Sequence, residues 1–162
     1  MANPVLPNGF KPTVAAYSHN GPGGVKRTEV AGGAPRYALD YDRGLQQFNV
    51  TLILNQMQFS VWVAFFIHII KKGAITFDMP LDAGFGTALH ACNIMPDSYS
   101  ASRTGGIATA VSFVVEAENK AYDMTAADAQ ALVDFYNASG SESGALLARI
   151  SRFATVDTLV LS

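Results

Sequence analysis

A single cysteine, Cys92, stands in a chain of 162 residues, so neither an intramolecular disulfide framework nor a thiolate zinc cluster can be built within one copy. A reducing cytoplasm is the natural place of synthesis for such a chain. Charge is scarce as well: Asp, Glu, Lys and Arg make up 15% of the residues, against roughly 25% in average soluble domains. So few charges leave part of the surface to be covered by something else. The formal net charge of -2 provides no global positive field for a phosphate backbone or an anionic bilayer, which disfavours sequence-specific nucleic acid and membranes as partners. No long hydrophobic run is present either. The longest, Phe59 to Ile70, covers 12 residues and is broken by Ser60 and His68, whereas about 20 are needed to cross a bilayer. The opening Met1-Ala-Asn-Pro has no basic segment and no apolar stretch, which predicts no signal peptide. The glycosylation sequons at Asn49 and Asn137 then read as chance, since that modification needs a secretory route.

What is abundant is apolar: 49% of the chain. A chain of this length is expected to form one soluble domain with its own core. Residues 1–35 hold five of the seven prolines and six of the fourteen glycines, a density that predicts an extended arm. The arm nevertheless carries Val5, Leu6, Phe10, Val14 and Tyr17, more apolar groups than a solvated linker needs. Docking on its own body, docking on a neighbouring subunit and a flexible leader all remain open at this point.

A regular core domain is expected over residues 36–140, followed by a C-terminal extension over 141–162. Residues 36–41 and 46–54 read as two strands around the Asp42-Arg43-Gly44 turn, with Phe48, Val50, Leu52 and Leu54 on one face. Residues 56–72 read as one apolar helix capped by Asn55 and closed by Gly73, with Phe59, Trp62, Val63, Phe65, Phe66, Ile69 and Ile70 around most of its circumference. Such a helix must be buried on several sides. Further strands are expected at 74–79, 87–95 and 107–118. Thr125-Ala-Ala-Asp128 resembles a capping box opening a second helix that ends at Gly140. A third helix over 145–153 and a docking strand over 155–162, with Val156 and Leu159, complete the expectation. The fold class is therefore α+β: an antiparallel sheet or sandwich of five or six strands on one long apolar helix, with an N-terminal arm and a C-terminal helical extension.

Candidate chemistry is thin. His90 and Cys92 share one face of a strand, yet two ligands are too few for a metal and no cationic neighbour activates the thiol. Gly21-Pro-Gly-Gly lacks the phosphate-loop spacing. The carboxylate pairs Asp40/Asp42 and Asp78/Asp82 have no third ligand and read as turn residues. No group supplies nucleophile, base and oxyanion donor together, so a non-enzymatic chain with no cofactor, no metal site and no catalytic residue is expected. Low charge, an apolar arm and an apolar helix favour packing against copies of itself, with Phe10, Tyr17, Phe59, Trp62, Phe66, Val156 and Leu159 as the packing candidates.

The order of a strand beginning Arg36-Tyr-Ala-Leu-Asp, a strand Phe48-Asn-Val-Thr-Leu-Ile-Leu and a helix Phe59 to Ile70 forms the first half of a wider pattern. A strand start at Gly73 to Phe77, the Met79-Pro-Leu-Asp-Ala-Gly turn and a closing Val111-Ser-Phe-Val-Val-Glu116 strand follow. Over residues 36–118 this pattern resembles the small tail and neck structural proteins of tailed bacteriophages, notably tail-tube, distal-tail and minor-tail modules. The resemblance implies a ring-forming virion subunit, present in the host cytoplasm during assembly, with copies of itself and adjacent virion proteins as partners. Two further classes stand beside it: a small-ligand binding domain with an apolar pocket lined by helix 56–72, and a hydrolase or metal enzyme using His90 and Cys92.

Overall fold

The computed structural model describes residues 2–142 together with 144, 145 and 148. The chain is α+β with a largely antiparallel six-stranded sheet and two α-helices, and it divides into two compact units, Met1–Ala121 and Tyr122–Ser162.

In the first unit the elements run β1 (Ser18–His19), β2 (Val25–Thr28), β3 (Arg36–Leu39), β4 (Leu45–Asn55), α1 (Gln56–Ala64), β5 (Phe77–Asp82), β6 (Thr87–Ile94), β7 (Ser100–Thr104) and β8 (Ala108–Glu118). The sheet order is β1-β4-β8-β6-β5, with β7 also paired to β8. β4 and β8 form its spine, in register from Leu45↔Glu118 to Asn55↔Ala108. Their strict alternation explains the pairing: Phe48, Val50, Leu52 and Leu54 on β4 and Val111, Phe113 and Val115 on β8 all turn to one face and are buried. β5 and β6 add Phe77, Met79, Leu81, Cys92 and Ile94 to the same core.

One expectation is corrected. β3 does not pair with β4; it pairs with β2 as a separate two-stranded ribbon, Val25↔Leu39 to Thr28↔Arg36. Both edges of β4 are already taken, one by β8 and the other by β1 and the chain around it. Gly44 turns the chain away from a tight hairpin, packed so closely that a Cβ there would lie 2.0 Å from the Pro22 carbonyl oxygen.

α1 starts where expected. The Asn55 side chain accepts from the Gln58 amide and the Gln58 side chain accepts from the Asn55 amide, a reciprocal cap. The regular α-helix ends at Ala64, earlier than the pattern over 56–72 predicts, and Phe65–Ile69 continues as a π-helical turn in which the Ile70 amide bonds the Phe65 carbonyl at 3.0 Å. That turn is capped at Ile70, and Lys71 and Lys72 at positive φ lead into a short 3-10 turn whose last residue is Gly73, at φ +94°, where a Cβ would meet Ile94 at 2.8 Å.

Trp62 is fully buried, stacked on Phe113 at 5.1 Å with its indole N–H donating to the Tyr99 hydroxyl. The outer side of the helix breaks the expectation of burial all round: Met57, Val61, Ile67 and Ile69 are exposed.

The N-terminal arm docks on its own chain. Leu6 and Phe10 are buried in the core. Along β5, Asp78 bonds Pro4 and Leu6 through its amide and carbonyl, at 2.8 and 2.9 Å. Pro80 has no N–H to leave unpaired, and the Tyr17 hydroxyl accepts from the Asp82 amide and donates to the Asp82 carbonyl, both at 2.8 Å. The same arm covers the edge of β4, where Thr13 and Asn20 amides donate to the Thr51 and Gln47 carbonyls and Ser18 and His19 pair with Asn49 and Phe48. Inward-facing Gln46 is satisfied by the Asn20 carbonyl and the Asn119 side chain. Because Tyr17 abuts β1 at one end of the sheet order and Asp82 ends β5 at the other, this contact joins the two outer edges of a curled sheet.

The second unit contributes α2 (Ala126–Ser139), capped by Thr125, whose hydroxyl accepts from the Asp128 amide at 3.1 Å. Gly140 ends it, as expected, at φ +60°. Val156, Leu159, the strand over 155–162 and most of the third helix lie outside the described residues.

Phe10→Ala should therefore lower stability by about 3–5 kcal/mol, the range for a deleted core aromatic. Tyr17→Phe, which hands both Asp82 backbone groups over to water at this exposed edge, should lower it by about 0.5–1.5 kcal/mol. Thermal unfolding of both variants checks this; a midpoint unchanged by either would mean the arm is not part of the core.

Candidate functional site

Two kinds of feature stand out as sites: a cleft beside the arm, and apolar surfaces left uncovered. The cleft, about 890 Å³, lies between Lys11, Thr13, Tyr17 and His19 of the arm and Pro80, Asp82 and Thr87 of β5 and β6. Its size is that of a small-molecule pocket. None of its lining residues comes from α1, contrary to the expected pocket along that helix.

Tyr17 and Asp82, at the centre of the lining, are committed to structure. The Tyr17 hydroxyl holds both backbone groups of Asp82; burial pushes its pKa up, and the Asp82 backbone hydrogen bond opposes that only in part. The Asp82 carboxylate accepts from the Gly84 amide at 2.8 Å, the turn geometry that its spacing implied.

His90 and Cys92 do share the inner face of β6, both buried. They do not engage each other. The His90 Nδ1 lies 2.9 Å from the Ala88 carbonyl, which can only accept, so Nδ1 carries a proton; Nε2 has no partner among the described residues. The Cys92 thiol donates to the Phe77 carbonyl at 3.4 Å. Burial, with the nearby Asp78 charge adding to it, pushes the thiol up to about 12, the opposite of what a nucleophile needs. Among the described residues no three His, Cys, Asp or Glu side chains converge as metal ligands, and no helix is long and apolar enough to cross a membrane.

The packing candidates separate into two sets. Phe10 and Trp62 are buried in their own chain, and Phe59, Phe66 and Tyr17 pack partly buried against the core. Trp62 is therefore not a surface residue, and the weight it lent to oligomer packing passes to other side chains.

Those side chains lie on the ribbon, on α1 and on α2. On the β2–β3 ribbon Val25, Tyr37 and Leu39 are 62%, 67% and 66% exposed, and on α1 Met57 is 73% exposed. Leu132, Val133 and Tyr136 on α2 are exposed as well. Half of the ribbon was legible: Tyr37 and Leu39 alternate with Arg36 and Ala38, whereas Val25-Lys-Arg-Thr holds one apolar residue and no alternation, among Gly and Pro residues that predict an arm.

Cys92 should resist a thiol reagent in the folded chain at neutral pH and react once the chain is unfolded. Between 9.0, where a thiol ordinarily ionises, and about 12 the unfolded chain binds fewer protons than the folded one, so this group makes stability fall as pH rises through that window. Denaturant midpoints measured below and inside the window should drop less in Cys92→Ala than in the parent; fast labelling of the native thiol would contradict the burial. No protein-family model matches the chain, and neither a curated protein nor a solved structure does.

Proposed function

We propose that this chain is a non-enzymatic structural subunit that assembles with copies of itself. The observation that carries the reading is the β2–β3 ribbon, in which every residue is exposed and three large apolar side chains stand free. A two-stranded ribbon alone is marginally stable in water, and apolar groups displayed on one call for a covering surface. The exposed Met57, Val61, Ile67 and Ile69 on the helical segment point the same way. In this reading that segment, α1 with its π-helical continuation, covers the sheet with one side and offers the other to a neighbour.

The tailed-phage setting, a ring in the tail or neck with adjacent virion proteins above and below, rests on the sequence resemblance over residues 36–118. In that setting the chain is made in the host cytoplasm and ends in the virion. A second reading, a small-ligand binding domain, is favoured by the 890 Å³ cleft at Lys11, Tyr17 and Thr87. The enzyme reading is the weakest, since the Cys92 thiol is held to the Phe77 carbonyl and His90 to the Ala88 carbonyl.

The native particle mass at micromolar concentration tests the first reading. Several chains per particle are expected, and Met57→Glu with Val61→Glu should reduce that number while leaving circular dichroism unchanged. A strict monomer, stabilised against heat by a small ligand, would favour the second reading.

A further inference from the structure

We propose that the cleft beside the arm takes a short extended peptide segment carrying one acidic side chain, held as an added strand between β1 and β5. This deepens the ligand-binding reading of that cleft, on which it rests, and does not depend on self-assembly.

Backbone alternation identifies the groups that wait there. Antiparallel pairing turns the amide and carbonyl of every second residue towards the same neighbour. Just past β1 the Asn20 amide donates to the Gln47 carbonyl, so Ser18 turns to Asn49 of β4 and His19 turns its amide and carbonyl away from β4. On β5 the arm bonds the amide and carbonyl of Asp78, and the Tyr17 hydroxyl bonds those of Asp82. Pro80, between them, therefore turns its carbonyl to the same outer edge. The amide and carbonyl of His19 and the carbonyl of Pro80 have no partner among the described residues, and both residues line the cleft of about 890 Å³.

The arm makes this gap by leaving β5 early. Val5 and Asp78 form a parallel bridge, and continued pairing would bring the Asn8 amide to the Pro80 carbonyl. Pro80 has no N–H to donate in return to the Leu6 carbonyl, so the ladder stops. A turn in which the Phe10 amide bonds the Pro7 carbonyl carries the chain off to β4 at Thr13, and it regains β5 only through Tyr17. A whole tyrosine side chain and a 2.8 Å hydrogen bond span the seam there, a reach on the order of 10 Å, which is two strand spacings. One extended chain fits between. One of its residues faces His19 with amide and carbonyl together, and the next turns its amide to Pro80.

These backbone groups accept any extended segment, and Lys11 selects among them. Lys11 is exposed, lines the cleft and has no hydrogen bond or ion pair among the described residues, so an acidic side chain finds its partner there. The Asp82 carboxylate, already holding the Gly84 amide, repels a second acid. Pro12, Val14 and Pro80 give the remaining side chains an apolar wall.

Three capped probes test this by amide-resolved NMR of the whole chain: acetyl-Val-Asp-Val-amide, its Val-Lys-Val counterpart, and the first probe N-methylated at all three residues. The first should shift the His19 amide and slow its exchange with solvent. N-methylation should weaken binding about tenfold, because the segment then has no amide for Pro80 or the His19 carbonyl. Lys for Asp in the probe, or Lys11→Ala in the chain, should weaken it about threefold. An N-methylated probe that binds as well as the first would overturn the added strand while leaving the cleft a ligand site. Equal binding of the Asp and Lys probes would overturn the acidic preference. If no probe moves the His19 amide at millimolar concentration, the proposal and the ligand-binding reading both fall, and self-assembly is untouched.

Discussion

An unpaired strand edge presents a row of amides and carbonyls that must find partners, and the N-terminal arm supplies them on both outer edges of this sheet. Residues 4 to 20 bond Asp78 and Asp82 on β5, then Thr51, Asn49, Phe48 and Gln47 on β4. Each contact is modest alone, about 1 kcal/mol net. Their joint effect is that the sheet curls, Tyr17 ties its ends, and Leu6 and Phe10 fill the core between them. Proline density is what makes a segment with this role possible: it cannot form a helix, and it leaves short extended stretches free to add to strands already made.

With β5 and the outer edge of β4 covered by the arm, the strand of the sheet outside the arm that is left paired on one side only among the described residues is β7. About half of the exposed large apolar groups lie on the ribbon, on the outer side of the helical segment at 56–69 and on α2, and the rest, Val14 and Ile107 among them, lie elsewhere on the surface.

The elements that could be read from the sequence were those with a local cause. The alternation of Phe48, Val50, Leu52 and Leu54, and of Val111, Phe113 and Val115, specified β4 and β8 together with their buried face. Asn55, Thr125 and Gly140 marked helix ends by cap chemistry, whereas Gly73 did not: the regular helix stops at Ala64 and its π-helical continuation at Ile69. What could not be read depended on distant partners. β1 is two residues long, too short for any period, and exists because β4 offers an edge. The assignment of β3 to β4 failed for the same reason: sequence adjacency favoured the pair, and the arm had already occupied that edge. At the candidate sites, the aromatic helix was visible but not which of its sides would stay exposed, and Tyr17 stood out as apolar when its hydroxyl is what matters.

Amide hydrogen exchange followed residue by residue tests the closing of the sheet most directly. The account predicts that the amides of Leu6, Thr13, Asp78 and Asp82 exchange nearly as slowly as those at the centre of β4 and β8. Rapid exchange at these four, with β4 and β8 still protected, would contradict it.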